Sequence, residues 1–418
     1  MTVTPLLRTV DPLGLYFRAG RNDHRTLMQL MARGAPPFTG AVLDASLASR
    51  QDDLRLDLNQ RRFETVLDPM VMELATEGGW EREALRSLSW AGDSKHTPAS
   101  VTVANIGALI DPIAEFAVEK GYSAILSPTH YIEGIDDPWW PIDLAASRRL
   151  RQQLNAAGRA DMPIYYRIAT ARRTLTEPKN RRWIAERLAG LEIDGLWLCV
   201  HPVGAQASGA ILKSYIDFCR DLARVGVPLV AERTGFLGLA LLGFNAVGGV
   251  ESGITLGESF DAIRLIRPPE RRTDAGGFSL APRVYIDRLG TFLSRKEAKV
   301  FFAERGMRQR FACQDRPCCQ SPDDMVKDPR RHLLHTRSGE VTQLTRVPAH
   351  NRPPVYLDTI RRASDDAMHA ARIFDKFEKD QRRLGTWREV LASIVDRREY
   401  LQSAPAIPHG RLQRRMSA

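Results

Sequence analysis

Two short segments, AVLD (residues 41–44) and TVLD (residues 65–68), share one pattern, an apolar run that ends on an aspartate. Apolar runs of this length are typical of strands buried on both faces, as in a parallel sheet. The aspartate then lies where the buried strand emerges. The two segments therefore predict a parallel β-sheet whose carboxyl edge carries carboxylates.

Similar segments recur between residues 15 and 289, and stretches of helical periodicity separate them. This alternation is typical of a parallel sheet wrapped by helices, and eight such units close a (β/α)8 barrel of the TIM type. Because nine strands are found, one of the two early candidates, 41–43 or 63–67, is expected to lie outside the barrel. The predicted strands are 15–19, 41–43, 63–67, 122–127, 164–169, 196–201, 228–232, 246–250 and 284–287.

A doubly wound open sheet is the competing architecture. Such sheets carry a glycine-rich phosphate-binding turn after the first strand. After the predicted first strand here, Gly20 stands alone. A barrel is therefore favoured over residues 1–305, followed by a Cys/His zinc-binding insertion over 306–350 and by C-terminal helices with a basic tail over 351–418.

The composition restricts the partners and the compartment. Among 418 residues, Lys and Arg exceed Asp and Glu by ten, which favours an anionic partner such as nucleic acid, although a basic solvated surface fits equally well. Five cysteines, without a secretory leader, indicate a cytoplasmic protein. The most apolar stretch, residues 235–250, is shorter than the roughly 20 residues of a membrane span, so no membrane partner is expected.

Barrel active sites are assembled at the carboxyl ends of the strands. Carboxylates there can act as nucleophile or general base, and arginines can bind an anionic substrate. The glycines Gly248 and Gly249 would also let backbone amides approach a ligand, although close packing of helix on sheet explains them as well. The polar residues at the predicted strand ends are Arg18, Asp44, Asp68, His130, Arg167, His201, Glu232, Glu251 and Asp287.

Three thiols and two imidazoles occur within one short polar stretch, at Cys313, Cys318, Cys319, His332 and His335. Tetrahedral Zn²⁺ is well served by three thiolates and one imidazole, and a closed site would fold a segment too small to have its own core. A structural zinc ion is therefore predicted. Because the two histidines are one helical turn apart, either can be the fourth ligand. The alternative is a set of reduced cysteines packed beside a helix.

A barrel aspartate followed by three cysteines and a His-Leu-Leu-His segment resembles the tRNA-guanine transglycosylase family. The segment YIDRL (residues 285–289) is similar to the one that carries the family's nucleophilic aspartate. DASL (residues 44–47) takes the place of its Asp-Ser-Gly-Gly motif, without the two glycines, and residues 248–258 are similar to its base-binding loop. The segment RHLLH (residues 331–335) is similar to its zinc-ligating histidine motif.

The resemblance implies an enzyme that exchanges a guanine-type base in tRNA or DNA for a 7-deazaguanine. Asp287 would be the nucleophile, with Asp44 and Asp68 as the other catalytic carboxylates. The missing glycines fit a diverged branch acting on DNA. The implied partners are nucleic acid, a free purine or 7-deazaguanine base, and a homodimer or a multi-protein modification complex. Two alternatives are a barrel enzyme for a small anionic metabolite and a non-catalytic barrel that binds nucleic acid or protein.

Overall fold

The computed structural model describes residues 13–34, 37–254, 258–266, 282–402 and 405. Its centre is a closed barrel of eight parallel strands in the order β4-β3-β2-β1-β9-β8-β7-β6, closed by pairing of β4 with β6. The predicted (β/α)8 TIM-type barrel is confirmed. The strands are β1 (Gly14–Ala19), β2 (Gly40–Asp44), β3 (Glu64–Asp68), β4 (Ala124–Leu126), β5 (Tyr131–Ile132), β6 (Ile164–Ala171), β7 (Gly195–His201), β8 (Leu229–Glu232) and β9 (Gly249–Gly253), with β5 a two-residue addition beside β6.

Helices surround this barrel, and α1, α2, α6, α7, α9, α10, α11 and α16 follow its successive strands. Within the described residues the α-helices are α1 (Asp23–Ala32), α2 (Ala48–Gln60), α3 (Val71–Leu74), α4 (Glu77–Trp80), α5 (Glu83–Arg86), α6 (Ile106–Glu119), α7 (Trp139–Ala156), α8 (Arg173–Thr176), α9 (Pro178–Leu188), α10 (Gly209–Leu222), α11 (Phe236–Gly243), α12 (Ile263–Ile266), α13 (Arg295–Ala303), α14 (Met307–Phe311), α15 (Asp324–Lys327), α16 (Pro329–Arg346), α17 (Arg352–Ala371) and α18 (Glu378–Asp396).

The barrel strands are mainly apolar, apart from the polar residues near their carboxyl ends, because both of their faces are buried. One set of alternate side chains points inward and forms a cluster of its own, and the set between them packs against the helices. Strands of this kind read as continuous apolar runs, which is why the sequence shows them. The inward cluster is Leu13, Tyr16, Val42, Val66, Ala124, Leu126, Tyr165, Trp197 and Val230.

The strand predicted at 284–287 lies outside the barrel. Residues Val284–Ile286 form β10, which pairs antiparallel with β11 (Thr291–Leu293) in a separate two-stranded sheet. Both early candidates are barrel strands, so the expectation that one of them lies outside is wrong. An apolar run of three residues looks the same in a buried hairpin and in a barrel, and periodicity does not separate the two cases.

Helix α16 completes the ring of outer helices. It packs against β1, α1 and α11, and also against β10. The hairpin and the cysteine segment therefore stand in the sequence between the last barrel strand and the last outer helix. Residues on both sides of the predicted boundary at 305 contribute to the packing of the barrel.

The C-terminal helices are docked on the barrel. Helix α17 packs against α11, and α18 packs against α10. Trp387 of α18 is fully buried, stacks on Phe236 and donates from Nε1 to the Ala207 carbonyl at 2.7 Å. The predicted basic tail, with Arg411, Arg414 and Arg415, lies outside the described residues. None of the helices in the described part of the chain is long and apolar enough to cross a bilayer.

This docking predicts that the C-terminal helices and the barrel unfold together. Trp387→Ala removes a fully buried indole and its hydrogen bond, so the free energy of unfolding should fall by about 3–5 kcal/mol. Met368→Ala, at a position of α17 that is 38% exposed, should change it by less than about 0.5 kcal/mol. Urea denaturation followed by fluorescence and circular dichroism measures both. An unchanged barrel transition in Trp387→Ala would show that the helices are an independent appendage.

Candidate functional site

Arg18 of β1 lies at the centre of a buried ionic network near the carboxyl end of the barrel. Its Nη1 donates to Asp44 Oδ1 and to Asp68 Oδ2, both at 2.7 Å, and its Nε donates to Glu251 Oε1 at 2.8 Å. Its Nη2 lies 3.4 Å from Glu232 Oε1. One guanidinium thus holds carboxylates from four different strands.

Arg167 of β6 is the second cation of this network. Its Nε and Nη2 contact the two oxygens of Glu232 at 2.8 and 2.5 Å, and its Nη1 contacts Asp68 Oδ2 at 3.2 Å. Asp68 and Glu232 therefore bridge the two arginines. The mouth network is defined as Arg18, Asp44, Asp68, Arg167, Glu232 and Glu251.

The strand register explains why these side chains meet. Arg18, Asp44 and Asp68 each stand two residues beyond an inward-facing member of the apolar cluster, so they point into the barrel one layer nearer the mouth. Arg167 and Glu232 follow the same rule on β6 and β8. The alternation that fills the barrel with apolar groups also places the charges above them.

The network is buried and has more carboxylates than guanidinium groups. All of its side chains are 8% exposed or less, except that of Asp44 at 16%. Four carboxylates face two arginines, and Arg233 adds a third cation 3.4 Å from Glu232. Neutral donors satisfy further oxygens, since Trp197 Nε1 donates to Glu251 at 2.7 Å. The mouth therefore favours positive over negative charge in a substrate.

The pKa values of Asp44 and Asp68 are shifted in opposite directions although the two carboxylates share one arginine nitrogen. Burial raises the pKa of Asp44 from its ordinary value of 3.8 to about 6, because Arg18 only partly compensates for lost hydration. Burial acts on Asp68 as well, but Arg167 and Arg18 together lower its pKa to about 2. Neighbouring carboxyls with divergent pKa values are typical of acid–base and nucleophilic sites.

The two predicted histidines lie outside the mouth network. His130 is buried; its Nδ1 lies 2.6 Å from Asp143 Oδ1, and its ring stacks on Trp139. His201 accepts from the Ala262 amide at Nδ1, at 3.0 Å. Its ring lies within 6.5 Å of the rings of Tyr131 and Phe260. His201 thus belongs to an aromatic group above β7, whereas His130 is tied to α7.

The glycines Gly248 and Gly249 are at the wrong end of the barrel for a substrate loop. The strand predicted at 246–250 spans Gly249–Gly253, so these glycines precede or begin it. The Gly14 amide donates to the Gly248 carbonyl at 3.0 Å, and a Cβ at Gly249 would meet the Gly14 carbonyl at 3.0 Å. Their absence of side chains allows close packing on β1. The predicted approach to a ligand is therefore wrong.

Asp287 is not at the barrel mouth. It follows β10, begins a 3-10 helix (Asp287–Leu289) and lines a different cavity beside α16 and α17. The prediction that it ends the last barrel strand, alongside Asp44 and Asp68, is wrong. Within the described residues, it shares no hydrogen bond or ion pair with the mouth network.

Sequence reasoning missed several residues around the mouth. Cys199, Ala169 and Met72 form a small buried cluster with Phe260 and Ala262. The first two stand two residues beyond the inward-facing Trp197 and Arg167, so counting by two along each strand would have found them. Met72 and Phe260 lie in loops and short helices after the strands, where no periodicity marks them.

Four of the five predicted metal ligands converge. The ligand atoms of Cys313, Cys318, Cys319 and His332 all lie within 4.8 Å of one another. His332 Nδ1 is 3.4 Å from Cys318 Sγ and 3.7 Å from Cys319 Sγ, and the two sulfurs are 3.6 Å apart. In a tetrahedral zinc site, Zn–S of about 2.3 Å and Zn–N of about 2.0 Å place ligand atoms about 3.5–3.8 Å apart. The group is therefore compatible with zinc.

The two histidines of α16 have different surroundings. His332 Nε2 lies 3.0 Å from the Tyr285 carbonyl, so Nε2 carries the proton and Nδ1 is left as the ligand atom. His335 Nδ1 instead lies 3.4 Å from Asp315 Oδ2. His332 is the fourth member of the group and His335 is not. The adjacent residues Cys318 and Cys319 can both belong to the group because the chain forms a tight turn there. The amides of both cysteines donate to the Asp315 carbonyl.

No protein-family model and no curated protein sequence matches the chain. Among solved structures, the chain is similar to a GH10 xylanase from Bispora sp. MEY-1 with xylobiose. The match has a TM-score of 0.38 at 10% identity and covers 58% of this chain and 83% of that one. A likeness at this level carries no information about activity.

Opposite pKa shifts predict opposite stability effects of neutralising the two aspartates. The pKa of Asp44 is higher in the folded chain, so its ionisation costs stability as pH rises from about 4 to 6, whereas Asp68 contributes stability above about pH 4 that is lost towards pH 2. At pH 8, Asp44→Asn should raise the free energy of unfolding by about 2–3 kcal/mol, and Asp68→Asn should lower it by a similar amount.

Urea denaturation between pH 4.5 and 8 measures both effects. The gain in Asp44→Asn should shrink as pH falls below about 6. Destabilisation by Asp44→Asn at pH 8 would show that its ionised form is stabilising in the folded chain.

Proposed function

We propose that the chain is a β/α barrel enzyme that exchanges a guanine-type base in nucleic acid for a 7-deazaguanine, with Asp44 as the reacting carboxylate. One observation carries the proposal. Asp44 and Asp68 lie on the same Arg18 nitrogen at the barrel mouth, with pKa values of about 6 and about 2. Paired carboxylates of this kind serve cleavage of glycosidic bonds.

Asp44 is the member best placed to meet a substrate. It is the most exposed carboxylate of the network, and within the described residues only its Oδ1 accepts a hydrogen bond. Asp68 is 2% exposed; its Oδ1 accepts from the Met70 amide, and its Oδ2 accepts from both arginines. Asp68 therefore positions the arginines, and Asp44 keeps one oxygen free to react.

The proposed reaction has two displacements. An oxygen of ionised Asp44 bonds to C1′ of the nucleotide while the C1′–N9 bond breaks, and the departing base keeps the electron pair and takes a proton from water. The incoming 7-deazaguanine loses its N9 proton to water, bonds to C1′ and expels the Asp44 carboxylate. Positive charge develops on the ribose in both steps, and the carboxylate excess of the mouth stabilises it.

The charge of the mouth favours this reaction over turnover of a small anionic metabolite. Both buried arginines already bind carboxylates, so neither is free to receive an anion. A substrate carboxylate or phosphate placed there would meet unscreened like charge. A sugar carbon that becomes cationic in the transition state is instead attracted.

The proposal of a nucleic-acid substrate is supported by exposed arginines around the mouth rather than by the mouth itself. Arg21, Arg50 and Arg172 are exposed and lie just beyond the carboxyl ends of β1, β2 and β6. Exposed arginines around a negative mouth suit phosphates outside and a flipped nucleotide inside. The Cys/His group supports base exchange in particular, through the family resemblance that it carries.

We also propose that Cys313, Cys318, Cys319 and His332 bind a structural zinc ion. Four protein ligands leave no open coordination position, so the ion would stabilise the fold and take no part in the reaction. Elemental analysis should find about one zinc per chain in the wild type and in His335→Ala, and a large loss in His332→Ala. The matched histidine variants separate ligation from a general effect on α16. Retention of zinc by His332→Ala with loss in His335→Ala would contradict the assignment.

Incorporation of labelled 7-deazaguanine into tRNA and into duplex DNA tests the exchange reaction. Asp44→Asn should reduce the rate at least about a thousandfold, while Asp53→Asn, an exposed position on α2 of the same β/α unit, should leave it unchanged. Because the ionised carboxylate reacts, kcat/KM should fall as pH drops below about 6.

Three results would overturn the assignment. Absence of incorporation into either polymer by the wild type would refute base exchange. Full activity of Asp44→Asn combined with an inactive Asp287→Asn would identify Asp287 as the nucleophile, as the resemblance implies. Turnover that needs no nucleic acid and is insensitive to salt would favour the metabolite enzyme.

A further inference from the structure

A cavity of about 350 Å³ lies outside the barrel, between α11, α16 and α17. This volume falls within the range of roughly 300–1,000 Å³ that is typical of small-ligand sites. Phe236, Leu239, Leu344 and Tyr356 form apolar walls. Asp287, which the exchange reaction does not use, lines the same cavity.

Asp287 is the polar group of the cavity that has unmet hydrogen-bonding capacity. It is half-buried and forms no ion pair within the part of the chain that the structure describes, and burial raises its pKa. A carboxylate without an ion pair beside apolar walls favours a ligand that supplies N–H donors.

The cations near the cavity do not neutralise Asp287. Arg288 and Arg310 both bind Asp366, at 3.2 and 2.6 Å. Arg362, the other cation of the lining, bonds within α17 to the Asp358 carbonyl at 3.4 Å. Glu340, which also lines the cavity, is held by the Tyr285 hydroxyl at 3.0 Å and by an arginine of its own helix. Asp287 is therefore the acceptor that a ligand would engage.

We propose that this cavity binds a planar heterocycle of purine or nucleoside size whose N–H groups donate to Asp287. Adjacent ring and exocyclic N–H groups on one edge, as in a guanine-type base, match the two oxygens of a carboxylate. The apolar walls, which include the Tyr356 ring, pack against the heterocycle. The site is separate from the barrel mouth, and its existence does not rest on base exchange.

Calorimetric titration without nucleic acid tests the cavity, with guanosine as the probe and inosine, which lacks the exocyclic amine, as its chemical control. Wild type should bind guanosine saturably and inosine about fivefold or more weakly. Asp287→Asn should weaken guanosine binding about tenfold or more. Thr359→Trp, which fills the cavity from a half-exposed wall position, should abolish it, and thermal melting confirms that each variant is folded.

Asp53→Asn is the matched control, because this exposed position of α2 belongs neither to the cavity lining nor to the mouth network. Its guanosine affinity should equal that of the wild type. Absence of saturable binding by the wild type, wild-type affinity in Asp287→Asn, or loss of binding in Asp53→Asn would overturn the inference. Failure of the base-exchange assay would leave this titration unaffected, so the two proposals fail independently.

Discussion

Two guanidinium groups buried inside the barrel dictate the arrangement of its mouth. A buried charge without a partner is strongly destabilising, so Arg18 and Arg167 require carboxylates in contact with them. Those carboxylates come from β2, β3, β8 and β9, so that with β1 and β6 the register of six of the eight barrel strands is tied to one ionic network. Four carboxylates exceed the positive charge of Arg18, Arg167 and the more peripheral Arg233. The excess falls on Asp44, the member nearest to solvent, whose pKa is raised to about 6 by burial.

The sequence was sufficient for the barrel and for most of this network. Buried parallel strands read as apolar runs, and barrel sites are built at the carboxyl ends of such runs, so Arg18, Asp44, Asp68, Arg167 and Glu232 were found without coordinates as polar residues at strand ends. Glu251 was also predicted, but as the residue that follows a strand at 246–250. The strand begins three residues later, and Glu251 lies inside it. Short loops and helices after the strands carry no period, and for that reason Met72 and Phe260 were missed.

Asp287 shows where such reasoning fails. Its segment has the apolar run and the terminal aspartate that mark β2 and β3, yet it belongs to a hairpin outside the barrel. Strand residues are buried in the hairpin as they are in the barrel, and a hydrophobic pattern reports only burial. The pairing partner of a strand is decided by long-range contacts that no local pattern contains. The Cys/His group is the reverse case, since ligand chemistry alone pointed to its members and only the tertiary structure distinguished His332 from His335.

Helix α16 serves several parts of the molecule at once. Its first turn provides His332 to the cysteines, its middle places Arg337 3.0 Å from Glu258 in the loop beyond β9, and its later turns line the cavity at Asp287. The same helix is the eighth outer wall of the barrel. The cysteine segment is therefore not a cassette that recombination or engineering can transplant by itself. A transplanted segment would have to include α16. A chimera that took the cysteine segment without this helix would have to obtain the counterpart of His332 from the recipient's own outer helix, whose packing on the barrel is different.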